Sequence, residues 1–123
     1  MKKFSWLIVP LLILFLSMPV FANTVCNSEL LTVGASTAVS FTAASIVDAS
    51  KGTGRAQVAY CTVYTGPIMF TIDGTTPSTT TTGHYVAANQ PFVITGYEYI
   101  AAAKTLSTSG TVYIYCTYSF DKE

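Results

Sequence analysis

The residues able to do chemistry are few and scattered. The single histidine, His84, follows Gly83 at the end of a threonine-rich stretch. In a hydrolase it would take the proton of a neighbouring hydroxyl, which requires imidazole and nucleophile within hydrogen-bond reach. Serines and threonines abound, yet none occupies a G-x-S-x-G setting. Asp48, Asp73 and Glu98 stand apart along the chain, whereas glycoside hydrolysis needs two carboxyl groups flanking one bond and calcium needs several oxygens from one loop. Asp73 precedes Gly74, a pair whose tolerance of positive φ favours a turn, so its place has a backbone explanation. Zinc would call for clustered thiolates and imidazoles, and Cys26, Cys61 and Cys116 are isolated from one another. The reading is therefore of a chain that is not an enzyme, with no catalytic, metal-binding or cofactor-binding residue.

The cysteines and tyrosines say more. Three cysteines cannot all pair within one chain, and Cys26, Cys61 and Cys116 are all disulfide candidates in an oxidising compartment. Spacing leaves the connectivity open, but a Cys61–Cys116 bridge is favoured because those two fall in the most strand-like segments. Tyr113 and Tyr115 recur two residues apart, as do Tyr97 and Tyr99, so each pair shares one face of a strand. Such rings can cover a twisted sheet as cross-strand pairs. They can also form a contact surface, since tyrosine offers large area and a polar tip at low entropic cost. Tyr97, Tyr99, Tyr113 and Tyr115 are accordingly the candidate contact residues, facing another subunit or a sugar ring.

Strands must position these groups. Leu30–Val33, Ala38–Thr42, Arg55–Tyr64, Pro67–Ile72, His84–Ala88, Phe92–Thr95, Tyr97–Ala103 and Thr111–Phe120 read as strands from their β-branched and aromatic content. Glycine and small polar residues around 48–54 and a threonine loop over 75–82 separate them. In Arg55–Tyr64, Ala56, Val58, Tyr60, Thr62 and Tyr64 face one way and Gln57, Ala59, Cys61 and Val63 the other, which suits a central strand. In the last segment Val112, Ile114, Cys116, Tyr118 and Phe120 form the core face. No segment reads as an amphipathic helix, and Ala101–Lys104 is too short to stand alone as one. Seven to nine short strands with turns between them predict an all-β fold, a single antiparallel β-sandwich or jelly roll.

The N-terminus has a different character. Lys2 and Lys3 precede an apolar run over Phe4–Leu16, and Val20 and Ala22 are small residues at the spacing of a cleavage site. Residues 1–22 are read as a signal peptide and 23–123 as the β-sandwich domain, exported to the periplasm or the extracellular space. A retained membrane anchor is the alternative. After such cleavage four basic and six acidic side chains leave a net charge of −2, without the basic cluster that nucleic-acid affinity requires. Serine and threonine supply 28 of those 101 residues and all eight tyrosines lie among them, a composition suited to half-wet sheet surfaces.

The stretches Arg55–Tyr60, Pro67–Pro77, Gly83–His84, Ile94–Gly96 and Gly110–Tyr115 together resemble small β-sandwich structural and accessory proteins of tailed bacteriophages and prophages. The resemblance implies a virion or assembly subunit that packs against copies of itself or other structural proteins, without cofactor or catalysis. A signal-like N-terminus and three cysteines depart from that pattern. Phe70–Pro77 by itself is similar to a hairpin of the fibronectin-type-III-like C-terminal domains of chitobiase-type enzymes. The expected function is thus a non-enzymatic structural or adhesive subunit of a surface or virion assembly, a homo-oligomer or a partner of other structural proteins. The alternative is a secreted carbohydrate-binding module whose partner is a polysaccharide.

Overall fold

A computed structural model describes residues 25–121. The expected signal peptide, residues 1–22, lies outside the described residues. The elements run β1 (Val25–Val33), β2 (Val39–Ser40), α1 (Ala43–Ile46), β3 (Ala56–Tyr64), β4 (Ile68–Thr71), β5 (His84–Val86), β6 (Pro91–Thr95), α2 (Tyr97–Ala102), β7 (Lys104–Ser107) and β8 (Val112–Phe120). They form two antiparallel four-stranded sheets, ordered β1-β8-β3-β6 and β2-β7-β4-β5. The expected all-β sandwich is what forms.

Alternation explains the layering. Val112, Ile114, Cys116, Tyr118 and Phe120 of β8 are buried and meet Ala59, Cys61 and Val63 of β3 and Leu31 and Val33 of β1 on the same inner face. The second sheet adds Ile68, and Ile100 of α2 fills the space beside them. Burying each such aliphatic or aromatic side chain contributes about 1.5–3 kcal/mol, which is the main drive for closing one sheet on the other.

Several expected elements differ. Strict alternation puts Ala56 on the face of Val58, Tyr60, Thr62 and Tyr64, but Ala56 is buried with Ala59, Cys61 and Val63. The register on β8 shifts between Ala56, opposite Phe120, and Val58, opposite Ser119, so Gln57 is the extra residue of a β-bulge that resets the parity. The first strand begins well before Leu30 and includes Cys26, which pairs in register with Ser119. The second shrinks to Val39–Ser40.

The expected strand over Tyr97–Ala103 is instead the helix α2 followed by a strand, β7, that hydropathy alone does not reveal. Gly96, at φ 104°, turns the chain out of β6, and the Ile100 amide donates to its carbonyl at 3.1 Å. Helical spacing then brings Tyr97 and Ile100 onto the core side, a burial that alternate spacing would not give, and Ala101–Ala102 favours the helical state. In β7 the buried positions include Thr105 and Ser107, whose hydroxyls donate to the carbonyls of Val39 at 2.9 Å and Ser109 at 3.0 Å. Polar residues satisfied in this way hide a buried strand from any hydrophobic count. The short α1 was likewise not expected; it buries Ile46.

Candidate functional site

The Cys61–Cys116 bridge joins the two central strands of the first sheet, where the residues stand directly opposite, Cα to Cα 4.1 Å. Both are buried in the core, so the favoured pairing forms and its role is internal. Cys26, on β1, is not part of it and is exposed; its carbonyl accepts a hydrogen bond from Lys51 Nζ at 3.1 Å.

The outer face of the same sheet is built by the complementary parity. One row across it is Leu30, Tyr115, Thr62 and Pro91; the next is Ser28, Thr117, Tyr60 and Val93; a third is Thr32, Tyr113 and Tyr64. Leu30 is 61% exposed, Tyr60 56%, Val93 52%, Tyr115 44%, Tyr64 43% and Tyr113 40%, so the rings stand out from the sheet. No row contains a charged side chain. At about 4.8 Å between strands and about 3.3 Å per residue, this tyrosine and threonine lattice covers roughly 350 Å². Uncharged patches of that size on a surface commonly mark contact sites.

Of the four expected contact tyrosines, Tyr113 and Tyr115 lie on this face. Tyr97 and Tyr99 do not, because α2 carries them to the side of the sandwich. Tyr97 is half-buried against the core with the Arg55 guanidinium 5.0 Å from its ring centre, and Tyr99 is exposed beside a groove. Sequence reasoning missed Tyr60, Tyr64, Leu30 and Val93. The spacing Tyr60, Thr62, Tyr64 repeats that of Tyr113, Tyr115, Thr117, and that match was the available signal.

The groove, of about 370 Å³, opens along the side of the sandwich between β6 of one sheet and β4 and β5 of the other. Phe70, Ile72 and His84 line it from the second sheet and its following loop, Val93, Ile94 and Thr95 from β6, and Tyr99 from α2. Phe70 is held by stacking on Phe92 at 4.7 Å and lies 5.3 Å from the tilted His84 ring. No Asp, Glu, Lys or Arg lines it.

Beyond His84 a smaller cavity of about 250 Å³ includes Asp73, Thr75 and Thr82. Asp73 accepts from the Thr75 hydroxyl at 2.6 Å and the Thr75 amide at 3.0 Å, and these two bonds hold its carboxyl below the usual range. The Asp73-Gly74 turn forms, but the β4–β5 hairpin closes only after the threonine loop, which Ser78 ties together by accepting from the Thr81 and Thr82 amides. Among the described residues no hydrogen bond joins His84 to Asp73 or to a hydroxyl, and no group of three His, Cys, Asp or Glu side chains converges. Comparison of the chain with protein-family models and with curated proteins finds no match.

Proposed function

We propose that this protein is a structural or adhesive subunit of a surface or virion assembly, acting through protein–protein contacts made by the outer face of the β1-β8-β3-β6 sheet. The observation that supports the reading is the run of exposed Tyr60, Tyr64, Tyr113 and Tyr115 with Leu30 and Val93 on a face without charge. Tyrosine-rich, charge-poor surface is the composition of contact cores, and an uncharged sheet face meets a like surface without electrostatic penalty. The buried disulfide fits an oxidising environment, and export by the N-terminal segment accords with it. Among the described residues no helix is long and apolar enough to cross a membrane.

Sedimentation of the protein over a range of concentrations tests the reading. Association that Tyr113→Ser/Tyr115→Ser abolishes without lowering the melting temperature supports it. A wild-type chain that stays monomeric at every concentration and binds none of the proteins encoded by its neighbouring genes refutes it.

A second reading, a carbohydrate-binding module, draws on the groove flanked by the Tyr99 and His84 rings. Retention on insoluble polysaccharide that Tyr99→Ala removes would favour it over the first.

A further inference from the structure

We infer that the outer edge of β6 is an acceptor for an extended peptide segment from a partner protein, a segment whose alternate side chains are apolar and uncharged. The site adjoins the tyrosine lattice and shares Val93 with it, but it uses the outward backbone of β6 and not the faces of the rings, and it adds to the proposed function a specific mode of joining.

Hydrogen-bond parity shows which groups are on offer. The Gly96 amide donates to the Gln57 carbonyl at 2.7 Å, and the Val63 amide donates to the Gln90 carbonyl at 3.1 Å. With the register Cys61 opposite Phe92 and Ala59 opposite Ile94, the alternation of an antiparallel ladder directs the amides and carbonyls of Phe92 and Ile94 toward β3. Those of Val93 and Thr95 then point the other way, to the free side of the sheet. Among the described residues no turn, loop or side-chain hydrogen bond reaches them from that side. A row of donors and acceptors two residues apart is matched by one kind of occupant, an extended backbone.

The groove states what that backbone carries. Three consecutive residues, Val93, Ile94 and Thr95, line it although their side chains alternate in direction, so it meets β6 along the strand edge and not on one face. A strand added there continues the pleat: its residues opposite Val93 and Thr95 share the outer face, and those opposite Ile94 point between the sheets, over Phe70 and Ile72. The absence of any formal charge from this lining calls for uncharged, apolar side chains at the inward positions. A folded second copy does not meet that requirement with either edge of its own first sheet, because the inward side chains there, Leu31 and Val33 of β1 and Phe92 and Ile94 of β6, are already buried in their own core. An unfolded segment has both its edges and its side chains to give.

The same parity makes the test specific. When the added strand runs antiparallel to β6, as every strand pair of this fold does, its inward residues turn their amides away from β6 and its outward residues turn theirs toward it. The probe is an acetylated Thr-Val-Thr-Val-Thr-Val-Thr peptide with a Lys-Lys tail for solubility, followed by amide chemical shifts of the full protein. The two registers of this peptide place either its valines or its threonines inward, and the apolar lining selects the valines. Shifts centred on Val93 and Thr95 are expected. N-methylation of the threonine amides lowers affinity about tenfold or more, N-methylation of the valine amides is tolerated, and Asp in place of each Val abolishes binding.

On the protein side, Val93→Pro removes one outward amide but none of the ladder bonds to β3, so it loses binding while keeping its melting temperature near that of Val93→Ala. Tyr113→Ser/Tyr115→Ser leaves peptide binding unchanged, which separates failure of this site from failure of the tyrosine lattice. Equal effects of the two N-methylated peptides, no shift at Val93 and Thr95 with millimolar peptide, or shifts produced by cellohexaose and not by peptide each overturn the proposal.

Discussion

The Tyr118 hydroxyl, buried between the sheets, donates a hydrogen bond to the Glu29 carboxylate on the neighbouring strand β1. Glu29 Oε1 also accepts the Thr42 amide at 3.1 Å, so one carboxylate ties β8 and β1 to the start of α1. Burial first, and then the adjacent carboxylate, push the ionisation of Tyr118 far above its ordinary value of 10.0. In the unfolded chain the phenol loses its proton near that pH, while in the folded protein it keeps it. Above about pH 10 the native state therefore binds more protons than the unfolded one, and stability falls as pH rises; below it the two states match and this contribution is constant. Denaturant melts taken from neutral pH into this alkaline range should show the decline, and Tyr118→Phe should flatten it. The same variant should lose about 1–3 kcal/mol at neutral pH through the missing hydrogen bond.

The disulfide joins the two central strands of the first sheet and closes a loop with a sequence separation of 55. Cys61→Ala/Cys116→Ala should cost about 2–5 kcal/mol of stability. Thermal denaturation with and without reductant checks it: reductant should lower the wild-type transition toward that of the variant and leave the variant itself unmoved. Equal melts for wild type and variant would show that the bridge contributes nothing.

Tyr113 and Tyr115 stand on the outer face of β8 and Ile114, fully buried, on the inner. Replacing both tyrosines by Ser should leave the melting temperature within a few degrees of wild type, whereas Ile114→Ala should lose about 2–5 kcal/mol through an unfilled cavity. If the paired tyrosine variant unfolds as readily as Ile114→Ala, the rings belong to the framework and not to a contact surface.

Gly83 has φ 119°, and a Cβ placed there would lie 2.9 Å from the Phe70 carbonyl oxygen, too close to accept without moving β4 or β5. Gly74 also has positive φ, 85°, but open space around it. Ala at either position pays the backbone penalty, about 1 kcal/mol, and Gly83→Ala should cost clearly more because it adds the collision. It should also displace His84 and Phe70, seen as changes in their ring proton shifts, while Gly74→Ala leaves both in place.

Much of this architecture was legible in the chain. The strict alternation from Val112 to Phe120 marked β8 and its two faces, and the strand character around Cys61 and Cys116 pointed to their pairing. What escaped was set by tertiary context. Gln57 reverses the parity of Ala56 through a bulge that leaves no mark in hydropathy. Tyr97 and Tyr99 have the spacing of a strand, yet burial of Ile100 three residues after Tyr97 favours a helix. The candidate site was half legible for the same reason: Tyr113 and Tyr115 could be placed from β8 alone, while Tyr60 and Val93 join them only through the register of three strands. The groove, assembled from four separate elements, had no local signature.

Val25 stands opposite Phe120 in the β1–β8 pair, so the two ends of the described chain leave the sheet side by side. Tension applied between them loads the β1–β8 bonds one at a time, as in opening a zipper, and not all together in shear. The peeling has a hard stop. Once it reaches Cys61 from one side and Cys116 from the other, force passes through the sulfur bridge, and residues 62–115 carry none of it. A domain of this kind yields early under load by releasing its outer segments, then holds at a length fixed by a covalent bond.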